Sequence, residues 1–86
     1  MGRRDKSRRI LDIYMRFCEG KVIHKNEEAR RFRVGERSIQ RDINDIRAFL
    51  DEKRVADSSD IRDIVYNRAF RGFVMTGLGD TVRFLL

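Results

Sequence analysis

In the run ERSIQRDINDIRAFLD, residues 36–51, isoleucine or leucine stands at 39, 43, 46 and 50, at spacings of four, three and four. That is a single narrow stripe along an α-helix, whose turn takes about 3.6 residues. A helix with one apolar stripe has one side to bury, so whatever lies on its other side is offered to solvent or to a partner. The chain has no proline to interrupt such a helix anywhere.

The other side is sorted by chemistry. With Ile39 as origin, Ile43, Ile46 and Leu50 fall within about 40° of it. Arg37, Arg41, Asn44 and Ala48 fall opposite, between about 140° and 200°, with Gln40 flanking at about 100°. Asp42 and Asp45 lie to one side, at about 300° and 240°. Arginine can bind guanine O6 and N7, and asparagine or glutamine adenine N6 and N7, in bidentate geometry. Alanine permits close approach. The N-terminal part of a recognition helix enters the major groove, its free N–H groups suit a phosphate, and Ser38 can add a hydroxyl contact to the backbone. Asp42, beside the core stripe, is expected to pair with an arginine or a backbone group and not to read bases. The plainer alternative is a solvated face, on which i, i+4 pairs such as Arg41 and Asp45 contribute only a few tenths of a kcal/mol.

Composition narrows the partner. The 86 residues make one small domain, 41% apolar and 40% charged, with a net charge of +6; an ordinary domain is roughly 25% charged. Residues 1–43 carry 13 Lys/Arg against 7 Asp/Glu, and residues 44–86 carry 7 of each. The whole excess therefore lies in the first half, which favours a polyanion such as nucleic acid. No apolar run approaches the roughly 18 residues of a membrane span, and the charged first residues lead to the expectation of no signal peptide. The single cysteine, Cys18, excludes an intramolecular disulfide and fits a reducing cytoplasm.

The rest of the chain supplies neighbours for this helix. Residues 7–19 have Ile10, Leu11, Ile13, Tyr14, Phe17 and Cys18 on one broad helical face, and Gly20 marks its end. Cys18 reads as a small buried hydrophobe. Residues 22–24, VIH, are either a short strand or an extended link. Asn26 is the expected N-cap of a short second helix over about 27–33, with Glu27 and Glu28 at the positive end of its dipole and Ala29 and Phe32 inward. Val34 and Gly35 form a tight connection, with Gly35 or a neighbour capping the third helix. Polar residues 52–62 read as a loop. Residues 63–76 change period and read as a β-hairpin closed at Gly72, its tip flanked by Arg68 and Arg71, which can lie on phosphates without reading sequence. Phe70 is either tucked back or exposed. In the tail GLGDTVRFLL, Asp80 or Thr81 is a candidate N-cap.

The expected fold is mainly α with a small β-hairpin, in the α+β class: a winged helix-turn-helix of three helices followed by a two-stranded wing. Residues 1–78 form the domain. Residues 1–6 are a basic N-terminal tail that either folds onto phosphate or stays disordered, and residues 79–86 start a linker or helix towards a C-terminal region outside this chain.

These residues resemble the N-terminal winged helix-turn-helix of bacterial WYL-domain transcription regulators, often described as DeoR-like. ERSIQRDINDIRAFL looks like the family's S-x-R-[ST]-I-Q-R-D-I pattern. EEARRFRV and IVYNRAFRGFVM fit its second helix and its I-x-Y-D…G-Y wing. The resemblance implies duplex-DNA binding with the third helix in the major groove, and it implies that Arg37, Ser38 and Arg41 occupy DNA-contacting motif positions. This sequence departs from the pattern at Gly35, where a serine is usual, at Arg33, where a glycine is common, and at Asn67 and Phe73, which replace Asp and Tyr. Family members carry a C-terminal ligand-sensing domain and dimerise beyond the winged helix, so a fragment of a longer regulator or a short relative is expected.

The candidate DNA-binding residues are Arg37, Ser38, Gln40, Arg41, Asn44, Arg68 and Arg71. The expected partners are double-stranded DNA and, in the full-length context, a second copy of the chain, with no membrane and no small-molecule ligand in this segment. The expected location is cytoplasmic, on the bacterial nucleoid. A protein-interaction or dimerisation winged helix without base reading is the alternative, motivated by Val82, Phe84, Leu85 and Leu86. RNA binding is disfavoured because the chain lacks an aromatic strand surface for stacking single-stranded bases. No catalytic, metal or cofactor residues are expected: His24 is the only histidine, and neither a phosphate loop nor a Cys/His cluster is present.

Overall fold

The computed structural model describes residues 2–78, with side chains from residue 5 onward. Helices α1 (Gly2–Cys18), α2 (Lys25–Phe32) and α3 (Glu36–Ala56) precede strands β1 (Asp63–Asn67) and β2 (Gly72–Thr76), which pair antiparallel. This is the three-helix, two-stranded α+β layout of a winged helix. The segment read as the beginning of a linker or helix, 79–86, lies outside the described residues, and so do the candidate caps Asp80 and Thr81.

The stripe on α3 is the centre of the core. Ile39, Ile43, Ile46 and Leu50 are all buried, each contributing on the order of 1.5–3 kcal/mol. Around them pack Ile13 and Phe17 of α1, Ala29 of α2, Ile23 of the link, and Ile64, Phe73 and Met75 of the hairpin. The broad apolar face expected on α1 is only partly used. Ile13 and Phe17 are fully buried, Ile10, Tyr14 and Cys18 are half-buried, and Leu11 is 61% exposed. Leu11 is therefore not a core residue: α1 crosses the others along a line through Ile13 and Phe17, and Leu11 lies beyond its edge.

Both long helices outrun their apolar patterns. α1 begins at Gly2, so residues 2–6, read as a tail, are helical. Asp5 in its first turn and Arg16 in its last complement the helix dipole. α3 continues five residues past Asp51 and ends where the Asp57 N–H meets the Lys53 carbonyl at 2.7 Å. The loop is accordingly shorter than expected. Helix α2 starts earlier than expected, with His24 in the N-cap position and not Asn26. The Ile23 N–H and carbonyl both bond to Phe73 at 2.8 Å, an isolated bridge that fixes the chain direction just before His24. The link 22–24 is thus an extended segment laid on the wing. Gly20, at φ 81, stops α1 as expected.

That bridge explains Gly72. A Cβ on Gly72 would stand 2.6 Å from Val22 Cγ1 and 2.9 Å from the Ile23 carbonyl oxygen. The link and β2 approach so closely only because residue 72 has no side chain. Gly72→Ala is expected to lower stability by about 1–3 kcal/mol, measured by urea unfolding followed by circular dichroism. An unchanged midpoint would mean that the close contact is not maintained in solution.

Candidate nucleic-acid interface

The arginines of α1 and α3 and of the loop before β1, among the described residues, include two groups. The first group braces the fold. Arg9 of α1 donates two hydrogen bonds to Asp42 of α3, the one from Nη2 at 3.0 Å, and Asp42 has no solvent exposure. Arg16 reaches Glu28, buried at the start of α2, through bonds of 2.8 and 2.5 Å. Arg47 and Arg54 donate from α3 to the carbonyls of Ile64 and Arg62. Arg62 bonds Asp60 at 2.9–3.0 Å and the Tyr14 hydroxyl at 2.7 Å. Each guanidinium is held firmly charged where a carboxylate meets it: Asp42 raises the pKa of Arg9, Glu28 that of Arg16, and Asp60 that of Arg62. In return Arg62 holds the Asp60 carboxyl down to about 2.

The second group points outward. Arg37 and Arg41 are exposed on the first two turns of α3, and among the described residues neither has an ion-pair partner within 4.0 Å. Asn44 and Ala48 are exposed on the same side, and Ser38 is half-buried at its base. Gly35 is the N-cap and offers no side-chain cap, so the helix terminus is left to its backbone groups. A Cβ at Gly35 would meet nothing closer than 4.0 Å; the missing serine is not forced by space.

Gln40 and Asn44 are brought together differently from the expectation of independent reading groups. Lys25 Nζ donates to Gln40 Oε1 at 3.0 Å, and Gln40 Nε2 donates to Asn44 Oδ1 at 3.0 Å. The row is a hydrogen-bonded chain anchored on the first residue of α2. Lys25 also stands 6.0 Å from the centre of the Phe73 ring. It is the member that sequence reasoning missed, because the second helix was expected to start after it. On the opposite edge, Lys6 lies 3.8 Å from Asp45 and partly offsets its charge.

The wing tip lies on the Gln40 side. Arg68 and Arg71 are exposed in the turn Arg68–Arg71. Asn67 Oδ1 accepts the Phe70 N–H at 3.0 Å, and His24 Nε2 donates to the Phe70 carbonyl at 3.0 Å, tying the tip to the link before α2. Phe70 itself is 59% exposed, which resolves its alternatives in favour of the solvent-facing one. Tyr66 and Phe73 stack edge to face across the strands at 5.2 Å.

One further surface accompanies this face. An apolar groove of about 300 Å³ between α1 and α3 is lined by Ile10, Leu11, Tyr14, Asp45, Ile46 and Phe49. Among the described residues there is no cluster of three or more His, Cys, Asp or Glu placed to hold a metal ion, and no helix long and apolar enough to cross a membrane. Compared with protein-family models, with curated proteins and with solved structures, the chain shows no match in any of the three.

Asp42, within the recognition stretch by sequence, belongs to the brace, as its place beside the core stripe implied. Asp42→Ala is expected to cost about 3 kcal/mol, because it strands Arg9 against the core. Adding Arg9→Met should restore much of that loss. Thermal melts of the single and double variants check this, and simple additivity of the two losses would deny the pairing.

Proposed function

We propose that this chain is a sequence-specific double-stranded-DNA-binding domain of a bacterial transcription regulator, similar to the winged helices of the WYL-domain group and acting in the cytoplasm. In this reading the N-terminal turns of α3 enter the major groove, and the wing lies along the backbone. The observation that carries it is the unpaired, exposed state of Arg37 and Arg41 in a domain where five other arginines are engaged in bracing contacts. Two like charges four residues apart on a helix repel one another. Among the described residues nothing uses them, whereas a duplex offers guanine edges and phosphates that would. The basic wing tip and Lys25 flank the same face, and both can contact phosphate oxygens.

Base reading and phosphate contact separate experimentally. Arg41→Ala is expected to weaken a selected site by about 1–3 kcal/mol and to relax preference at one base position. Arg68→Ala should weaken all duplexes alike and flatten the salt slope by about 0.9. Selection of bound duplexes from a random pool, followed by anisotropy titrations at several salt concentrations, provides both readouts. Enrichment of no motif, with no salt-dependent affinity for any duplex, would sink the reading.

A second reading, a self-association module without base reading, draws on the apolar groove between α1 and α3, beside which Leu11, Met15 and Phe49 are exposed. The occupant in that case is a second copy of the chain. The apolar residues Val82, Phe84, Leu85 and Leu86 that first suggested it lie outside the described residues. Sedimentation at about ten times the duplex Kd distinguishes the two. A monomer that still binds duplex argues against obligate self-association, and a Leu11→Glu-sensitive dimer with no affinity for duplex argues for it.

A further inference from the structure

Among the described residues, two that are not glycine have positive φ, and both are arginines: Arg33 at φ 58 and Arg71 at φ 55. A β-carbon in this left-handed conformation crowds the neighbouring carbonyl, which is why glycine usually occupies it. Arg33 is the C-cap of α2, and its role there is met by backbone alone, through its N–H and that of Val34 bonding back to Arg30 and Ala29. The side chain is exposed and has no hydrogen bond or ion pair to a described residue. The cap needs a left-handed residue; it does not need a guanidinium. Strain retained without a structural return is a mark of functional positions.

Arg33 stands at a groove. Together with Arg8 and Arg31 it lines a cleft of about 550 Å³ between the N-terminal half of α1 and the turn joining α2 to α3. Phe32 and Val34 also line the cleft. Arg9 in its wall is already tied to Asp42, and Asp5 is the carboxylate in the lining. Arg31 stands 3.9 Å from the buried Glu28, a distant contact that leaves its 58% exposed side chain free to turn outward. Three exposed guanidinium groups against one carboxylate, over a partly apolar surface, suit an extended anion.

The position of the cleft identifies which anion. It lies on the Asp42 side of α3, since Arg9 joins the two. Lys25 and the wing lie on the Gln40 side, since Lys25 bonds Gln40 and Arg47 bonds β1. Arg37 and Arg41 project between them. A helix in the major groove, about 12 Å wide, has a phosphate backbone on each side. We propose that Arg33, with Arg8 and Arg31, forms a second phosphate clamp that holds the DNA backbone on the side of α3 opposite the wing. This rests on the duplex-binding reading above.

Arg33→Gly tests it, because that change relieves the backbone while removing the guanidinium. The full chain and the variant are titrated against one mixed-sequence duplex across a range of salt concentrations, with thermal melts alongside. The expected result is an equal or higher Tm, affinity reduced roughly two- to fivefold, the range of one exposed ion pair, and a salt slope shallower by about 0.9. Asp5→Asn should shift affinity the other way. Unchanged affinity and slope in Arg33→Gly, while the parent chain binds duplex, overturns the clamp and leaves DNA binding standing. A lowered Tm with the slope unchanged assigns Arg33 to the fold and also overturns it. So does saturable binding of inorganic phosphate that Arg33→Gly abolishes while duplex affinity is kept. A parent chain that binds no duplex at low salt removes the DNA-binding reading itself, and the clamp with it.

Discussion

A carboxylate with no solvent exposure, Asp42, stands about two turns into α3 on the side that meets α1, and a cation has to meet it. Burying an unpaired ion costs several kcal/mol, so Asp42 fixes where α1 can lie: its Arg9 must cross α3 at that point. The same demand is made by Glu28, which draws Arg16 from the other end of α1 onto α2. Two buried ion pairs, seven residues apart on α1, thus set its angle across the helix-turn-helix. They are directional where the hydrophobic contacts of Ile13 and Phe17 are not. With α1 held on the 300° side and the link and wing on the 100° side, the side of α3 left open is the one that carries Arg37 and Arg41.

This explains why the charge of the chain is a poor guide to its free cationic surface until the pairs are removed from it. The first 43 residues hold the whole net charge, yet Arg9 and Arg16 within them are neutralised by Asp42 and Glu28. The arginines that remain exposed there include Arg8, Arg30, Arg31, Arg33, Arg37 and Arg41. They are distributed over the start of α1, the end of α2 and the turn after it, and the start of α3. At about 0.1 M salt, charges further apart than about 10 Å are largely screened, so the local arrangement of these six matters more than the total.

How much of this was legible follows from the range of each interaction. The α3 stripe and the alternation of the hairpin are local patterns, and all four stripe residues are buried, with β1 and β2 where the change of period put them. Periodicity is silent where a run carries no apolar stripe: residues 2–6 and 52–56 are helical, although the first run holds no large apolar residue and the second only Val55, which is exposed. It over-reads where a helix is crossed at an angle, and so it assigned Leu11 to the interior. The pairs Arg9–Asp42 and Arg62–Tyr14 join residues 33 and 48 positions apart, and no spacing rule finds such partners. Only Asp42 left a trace, as a charge next to the stripe. Lys25 was hidden by the misplaced cap of α2, whose start is set by the bridge between Ile23 and Phe73 and not by Asn26.

The outward surface is costly in the free molecule, and the costs share one character. Arg37 and Arg41 repel across a helical turn, Arg33 and Arg71 hold left-handed backbone that glycine would hold with less strain, and the N-terminus of α3 is capped by a glycine that leaves room for a side chain. The charge pair and the glycine cap each cost a few tenths of a kcal/mol, and each left-handed arginine about 1–3 kcal/mol. The interior makes no comparable concession: among the described residues every buried side-chain nitrogen and oxygen is hydrogen-bonded. A domain that satisfies its core so fully, and places its small losses around one face and two adjoining turns, has the energetic shape of a surface completed by a partner. The residues concerned are arginines and an open helix N-terminus, which on the duplex-binding reading would meet anionic groups. On that reading, their spread on both sides of α3 suits the two phosphate backbones that flank a major groove.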